Sequence, residues 1–319
     1  MPRLVMRPAV RQNLGMPKYW VKVCLLAVAA MLAVAGCAPA PAPTAASADD
    51  RPLVLTTFTV LADMANKIGG GHVEVISITK IGAEIHGYQP TPSDLIKAQH
   101  ADLILDNGLG LERWFARFLN AVPAPHVVLS EGVEPVNITA GNFEGRPNPH
   151  AWMSPEAAKI YVDNIVRAFS DLAPEHADDF RRNGAAYRGE LDKLMDGLKA
   201  AFAHPAAVPA LVSCEGAFSY LARDAGLHEA YLWPVNSDAE GTPRQIKEVI
   251  GQVREHRVPT VFCESTVNPE SMRQVAKATG ARFVTPLYVD SLSGPNGPVP
   301  THLELIKHDI SLIKEGLAP

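Results

Sequence analysis

Residues 154–203 carry nearly continuous helical periodicity, about 50 residues interrupted only at Pro174, in a chain whose other segments are short. As a helix, residues 174–203 would extend about 45 Å at 1.5 Å per residue, longer than an ordinary domain helix. Such a rod can join two lobes as a rigid strut. On either side of it, β-rich runs alternate with amphipathic ones. Before it, strands are expected at 53–60, 73–79, 102–106 and 127–129. Between them fall a helix that stops at Gly69-Gly70-Gly71, one capped by Ser93, and one carrying Leu111, Trp114, Phe115 and Phe118. After it, strands are expected at 208–213, near Tyr231, at 260–263 and at 282–288, with helices from Gly216, Thr242, Asn268 and Thr301. About four β-α units per half argue for parallel sheets covered by helices. The expected architecture is α/β: two lobes, 53–173 and 204–319, each a mostly parallel four-stranded sheet flanked by helices, joined by one long α-helix at 174–203.

The N-terminal end reads differently. Residues 1–36 hold five basic residues and no acidic one, and an apolar run of 13 residues spans 23–35. That is the charge profile of a signal peptide, and the run is too short to cross a bilayer as a helix. It closes on Val34-Ala35-Gly36-Cys37, which resembles the lipobox of bacterial lipoproteins, so that Cys37 would become the lipidated first residue after cleavage. Residues 37–52 then serve as a tether, because Pro, Ala, Ser and Thr offer nothing to bury. Without the leader, 24 Lys and Arg face 34 Asp and Glu, a net charge of −10. Nucleic acid is not an expected partner of such a chain.

In open α/β sheets ligands bind beyond the carboxyl ends of strands. In the first half those loops hold Glu84-Ile85-His86-Gly87-Tyr88-Gln89-Pro90-Thr91-Pro92-Ser93-Asp94 and Asn148-Pro149-His150-Ala151-Trp152. In the second half they start with Ser213-Cys214-Glu215-Gly216-Ala217-Phe218 and with Tyr288-Val289-Asp290-Ser291. Two imidazoles from one lobe and two carboxylates from the other would meet across a cleft. Neutral imidazole and carboxylate are competent ligands for Mn²⁺, Fe²⁺ or Zn²⁺, and two carboxylates balance a divalent charge. Pro90, Pro92 and Pro149 restrict the backbone of both histidine loops.

These segments resemble the metal-binding (cluster A-I) family of solute-binding lipoproteins of ABC transporters, and in particular its manganese and iron branch. The resemblance runs from Leu53 almost to the C-terminus and extends to Tyr231-Leu232-Trp233-Pro234, Glu240-Gly241-Thr242-Pro243, Glu264-Ser265 and Pro298-Val299-Pro300-Thr301. It implies His86, His150, Glu215 and Asp290 as the metal ligands, and a two-lobed fold joined by one long helix. It also implies an extracytoplasmic, lipid-anchored monomer that delivers one ion to an ABC permease and its ATPase subunits, with no reaction catalysed. The zinc branch commonly has histidine where this chain has Glu215, and often a His-rich loop that is absent here. Manganese is therefore the first choice of ion, then iron, then zinc.

The family usually has serine or threonine where this chain has Cys214. Cys214 and Cys263 close strands expected to be neighbours, and the expectation is two small, half-buried thiols, with a disulfide or a soft metal ligand as alternatives. The nine other histidines are expected to be ordinary surface or structural residues. A metallohydrolase would need an open coordination position and a base; there is no HExxH, and Glu264 is the spare strand-end carboxylate. A metal-stabilised surface adhesin is the remaining alternative.

Overall fold

The structure, a computed structural model, describes residues 51–317 apart from 115–121, 140, 204–207 and 236–240. The expected signal peptide, Cys37 and most of the tether lie outside the described residues, as does most of the helix expected around Phe115 and Phe118. Leu111 to Trp114, at its start, form turns.

In the first lobe, β1 (Leu53–Thr56), β2 (Glu74–Ser77), β3 (Leu103–Asp106) and β4 (His126–Val128) form one parallel sheet in the order β2-β1-β3-β4. The register pairs Leu53 with Glu74, Val54 with Leu103 and Ile104 with His126. All four residues of β3 are buried, as an apolar run between two covered faces requires. One face packs into the main core through α1 (Thr59–Gly69), which ends at Gly70 in the left-handed conformation. The other face holds a small cluster of Leu55, Ile78, Ala98 and Ile104, with Ala98 contributed by α2 (Pro92–Gln99). Thr91 rather than Ser93 caps α2, sharing a reciprocal box with Asp94, and Pro92 occupies the first turn.

Two long helices follow. Ser154 caps α3 (Pro155–Leu172), and after a 3₁₀ turn at Pro174–His176 comes α4 (Ala177–Ala201), 25 residues or about 37 Å. The strut is therefore shorter than 174–203: Pro174 starts a separate turn, and the helix ends at the Phe202 cap. Its buried stripe, Phe180, Gly184, Tyr187, Leu191, Met195 and Leu198, keeps helical spacing. Through it α4 packs on α1 of the first lobe, on α3 along its length, and on α8 (His302–Leu317), which covers the second lobe.

The second lobe contains β5 (Ala210–Glu215), α5 (Ser219–Ala225), β6 (His228–Trp233), α6 (Pro243–Glu255), β7 (Thr260–Glu264), α7 (Glu270–Thr279) and β8 (Arg282–Leu287). Its strands are parallel but form two pairs, β5-β6 and β7-β8, instead of the expected four-stranded sheet. The β7-β8 ladder is irregular between Phe262 and Glu264, where Thr285 and Pro286 of β8 stand opposite Cys263 alone. Side chains tie β5 to β7 instead. Cys214 and Cys263 are disulfide-bonded with Cα atoms 4.9 Å apart, and the Glu215 N–H donates to the Glu264 carboxyl at 3.2 Å. The expectation of two half-buried thiols is thus corrected: neighbouring strands bring the two Cβ vectors into bridging range, and both residues are wholly buried. Closing a loop of 49 residues, this bridge contributes about 4 kcal/mol on a chain-entropy reckoning.

Candidate metal centre

The loop after β2 delivers His86. Within it the Glu84 carboxylate accepts from the backbone N–H of His86 at 2.6 Å and of Gly87 at 2.8 Å, fixing a tight turn. Trp114 donates its indole N–H to the Ile85 carbonyl at 3.1 Å, and Tyr88 packs on Trp114 while bonding to Asp94. The loop after β4 delivers His150, which opens a 3₁₀ turn, Ala151–Met153. Its ring is set by Asn148, whose side-chain oxygen lies 2.8 Å from Nδ1 and also accepts the His150 backbone N–H. A proton on Nδ1 leaves Nε2 as the free lone pair, aimed at the centre. The Asn148 amide in turn donates to the Gly216 carbonyl of the second lobe at 2.5 Å.

Glu215 is the last residue of β5, and Asp290 lies three residues beyond β8. All four side chains converge: one donor atom from each lies within 4.8 Å of the others. His86 Nε2 is 3.1 Å from His150 Nε2, 3.1 Å from Glu215 Oε1 and 3.8 Å from Asp290 Oδ1; His150 Nε2 is 3.4 Å from Glu215 Oε1. Thr266 donates to the second Asp290 oxygen at 3.1 Å. His150, Glu215 and Asp290 are fully buried, whereas the His86 side chain keeps 9% exposure and borders a cavity of about 660 Å³ lined by Leu111, Phe143, Pro149 and Val235.

Electrostatics follow from that packing. Burial alone would lower the His86 pKa, but the charges of Glu215, Asp290 and Glu84 outweigh it and raise it to about 9. Burial holds His150 below its ordinary value. Glu215 stays ionised despite burial because both imidazoles face it, while burial and the Glu215 charge push Asp290 up to about 8. At neutral pH the group thus carries protons on His86 and Asp290 that a divalent cation would displace.

All four residues singled out from sequence come together. Sequence reasoning missed the supporting residues Glu84, Asn148 and Thr266, although Asn148 stands two positions before His150 in the same motif. Glu264 is no free base: burial and the Glu215 charge raise its pKa well above the carboxylate range, and one oxygen is held by the Glu215 N–H. Two further clusters of potential donors occur among the described residues, Cys214 with Cys263 and Glu264, and His72 with His176 and Asp179. The disulfide removes the first from contention. Among the described residues no helix is long and apolar enough to cross a membrane.

Two parallel α/β lobes about a long helix, with donors from both meeting between them, define the class of two-lobed periplasmic binding proteins. The chain belongs to the ZnuA family, described as zinc-uptake complex component A, periplasmic, whose model matches residues 54–316. It is 47% identical to the iron-binding protein YfeA of Yersinia pestis over 282 residues, 86% of this chain and 91% of that one. It is 34% identical to the manganese ABC transporter substrate-binding lipoprotein PsaA of Streptococcus pneumoniae, over 85% of this chain and 90% of that one. Among solved structures, the manganese-bound periplasmic metal-binding protein of Candidatus Liberibacter asiaticus superposes with a TM-score of 0.77 at 33% identity, covering 83% of this chain and 99% of the other.

Proposed function

We propose that this chain captures one divalent transition-metal ion between its lobes and hands it to an ABC permease driven by its ATPase subunits, and that the ligands are His86, His150, Glu215 and Asp290. The observation that carries the reading is the convergence of two imidazoles and two carboxylates, three of them fully buried, within 4.8 Å. Outside a metal site, such a group would be an expensive arrangement of buried charge. The ion is cargo, and no bond is made or broken in a substrate. Mn²⁺ comes first, Fe²⁺ second and Zn²⁺ third: Glu215 supplies a hard oxygen donor, and the names of the iron and manganese relatives favour those two ions over zinc without ordering manganese before iron. The family description keeps zinc as the second reading, since Zn²⁺ suits two imidazoles and two carboxylates equally. Processing at Cys37 would anchor the mature protein to the membrane by lipid, in keeping with the lipoprotein relatives.

The test is metal analysis of protein purified without added metal, followed by Mn²⁺, Fe²⁺ and Zn²⁺ competition on wild type and Glu215→His. One equivalent of Mn²⁺ or Fe²⁺ in wild type, with preference moving toward Zn²⁺ in the variant, is the expected outcome. A variant with unchanged preference removes the argument from Glu215.

A further inference from the structure

His72, His176 and Asp179 form a second cluster, remote from the cleft. His72 stands two residues before β2 whereas His86 follows it, so the two histidines stand at opposite ends of the sheet. The His72 ring stacks on His176 with centroids 3.8 Å apart and 19° between planes, and both rings meet the edge of buried Phe180, which forms an apolar floor. His72 Nε2 lies 2.9 Å from Asp179 Oδ2, while the other Asp179 oxygen pairs with Arg182. Glu175 Oε1 is 3.9 Å from His176 Nε2. One donor atom from each of His72, His176 and Asp179 lies within 4.8 Å of the others.

We infer that His72, His176 and Asp179 form a second, surface-exposed site for a borderline divalent ion such as Zn²⁺ or Cu²⁺, bridging the α1–β2 connection to the start of α4. Two imidazoles and one carboxylate are the donor set such ions favour, and two ligands of one tetrahedral Zn²⁺ stand about 3.3 Å apart given bonds near 2.0–2.1 Å. The His72–Asp179 distance of 2.9 Å is near that spacing, and the remaining donor pairs lie within 4.8 Å. To present in-plane lone pairs to one ion the stacked rings would have to turn about Cβ–Cγ, and side-chain exposures of 30%, 36% and 35% leave room for that and for the ion to keep water. Arg182 keeps Asp179 ionised and so ready to bind. Mn²⁺ lies at the weak end of the divalent affinity series, so an open site of three donors is a site for Zn²⁺ or Cu²⁺ and not for Mn²⁺. With Zn²⁺ as the probe of both sites, the cargo ion and the surface ion are told apart by residue.

The experiment is equilibrium dialysis of the untagged protein against micromolar Zn²⁺ with metal analysis, on wild type, the double variant His72→Gln/His176→Gln, and Glu215→Ala. Wild type should hold two equivalents. The double variant should hold one, with its circular dichroism unchanged. Glu215→Ala should retain a Zn²⁺ equivalent that disappears when the two His→Gln changes are added, and its Cu²⁺-loaded form should show nitrogen couplings in electron paramagnetic resonance that vanish with them. Equal Zn²⁺ stoichiometry in wild type and the double variant overturns the inference, whatever becomes of the cleft. Two equivalents retained by Glu215→Ala, with one in the double variant, would instead count against the cleft reading.

Discussion

His86 meets solvent at one edge and the carboxylates of the second lobe at the other, so its proton is the competitor an incoming cation faces. Sequence alone places its titration near the ordinary histidine value of about 6.5. The structure moves it to about 9, because Glu215, Asp290 and Glu84 surround a ring that burial alone would have deprotonated. Binding needs the neutral His86 imidazole and the ionised Asp290 carboxylate, so the ion must displace a proton from each and apparent affinity falls as pH drops below their raised pKa values. Mn²⁺ titrations between pH 8 and pH 5.5 should show this decline with proton release; a flat profile would contradict the ligand assignment. Asn148 carries a second consequence. It holds His150 Nδ1 and reaches across to Gly216, so Asn148→Ala should lower metal affinity about 10- to 100-fold while His150 remains. Calorimetry with Mn²⁺ checks it, and unchanged affinity would show that the ring needs no such support. The ligand types were legible in the sequence because they sit in loops at strand ends. The supporting residues were not, since a hydrogen bond from Asn148 to the other lobe depends on how the lobes meet.

At the scale of elements, periodicity and caps located most strands and helices to within a few residues. The departures have local causes. Strand β1 stops at Thr56 because α1 begins at Thr59, and α5 starts at Ser219 instead of Gly216. In the second lobe a disulfide and the Glu215–Glu264 hydrogen bond link β5 to β7 in place of a backbone ladder, which alternation patterns cannot reveal. The α3–α4 pair depends on Gly184: a Cβ there would stand 2.5 Å from Val166 Cγ2, a stiff β-branched group. Gly184→Ala gains about 1 kcal/mol of helix propensity but loses more to overpacking. Gly184→Val adds bulk without that gain, so denaturant unfolding should show it destabilised by about 2–3 kcal/mol, and an unchanged midpoint would mean that the helices can separate freely.

For the whole molecule, the main core runs through both lobes by way of α3, α4 and α8. Across the divide Trp152 donates to the Val289 carbonyl at 3.1 Å, the Gly82 N–H to Ser291 at 2.6 Å and the His302 N–H to Asp63 at 2.8 Å. His302 itself is a fully buried residue, set between the Tyr187 hydroxyl and the Trp152 carbonyl. Lobes joined in this way have little room for the wide swing of receptors hinged by flexible strands, so capture should involve small loop and side-chain movements. A ligand that binds only the folded state at a hundredfold excess over Kd adds about 2.7 kcal/mol to stability. Thermal unfolding should therefore shift upward with Mn²⁺ in wild type and not in Glu215→Ala.

The most direct measurement is equilibrium Mn²⁺ binding at pH 7.5 by wild type and by Glu215→Ala, with metal counted per chain. One tightly held equivalent in wild type and none in the variant is the predicted result; equal, tight binding by both would contradict a metal site built on His86, His150, Glu215 and Asp290.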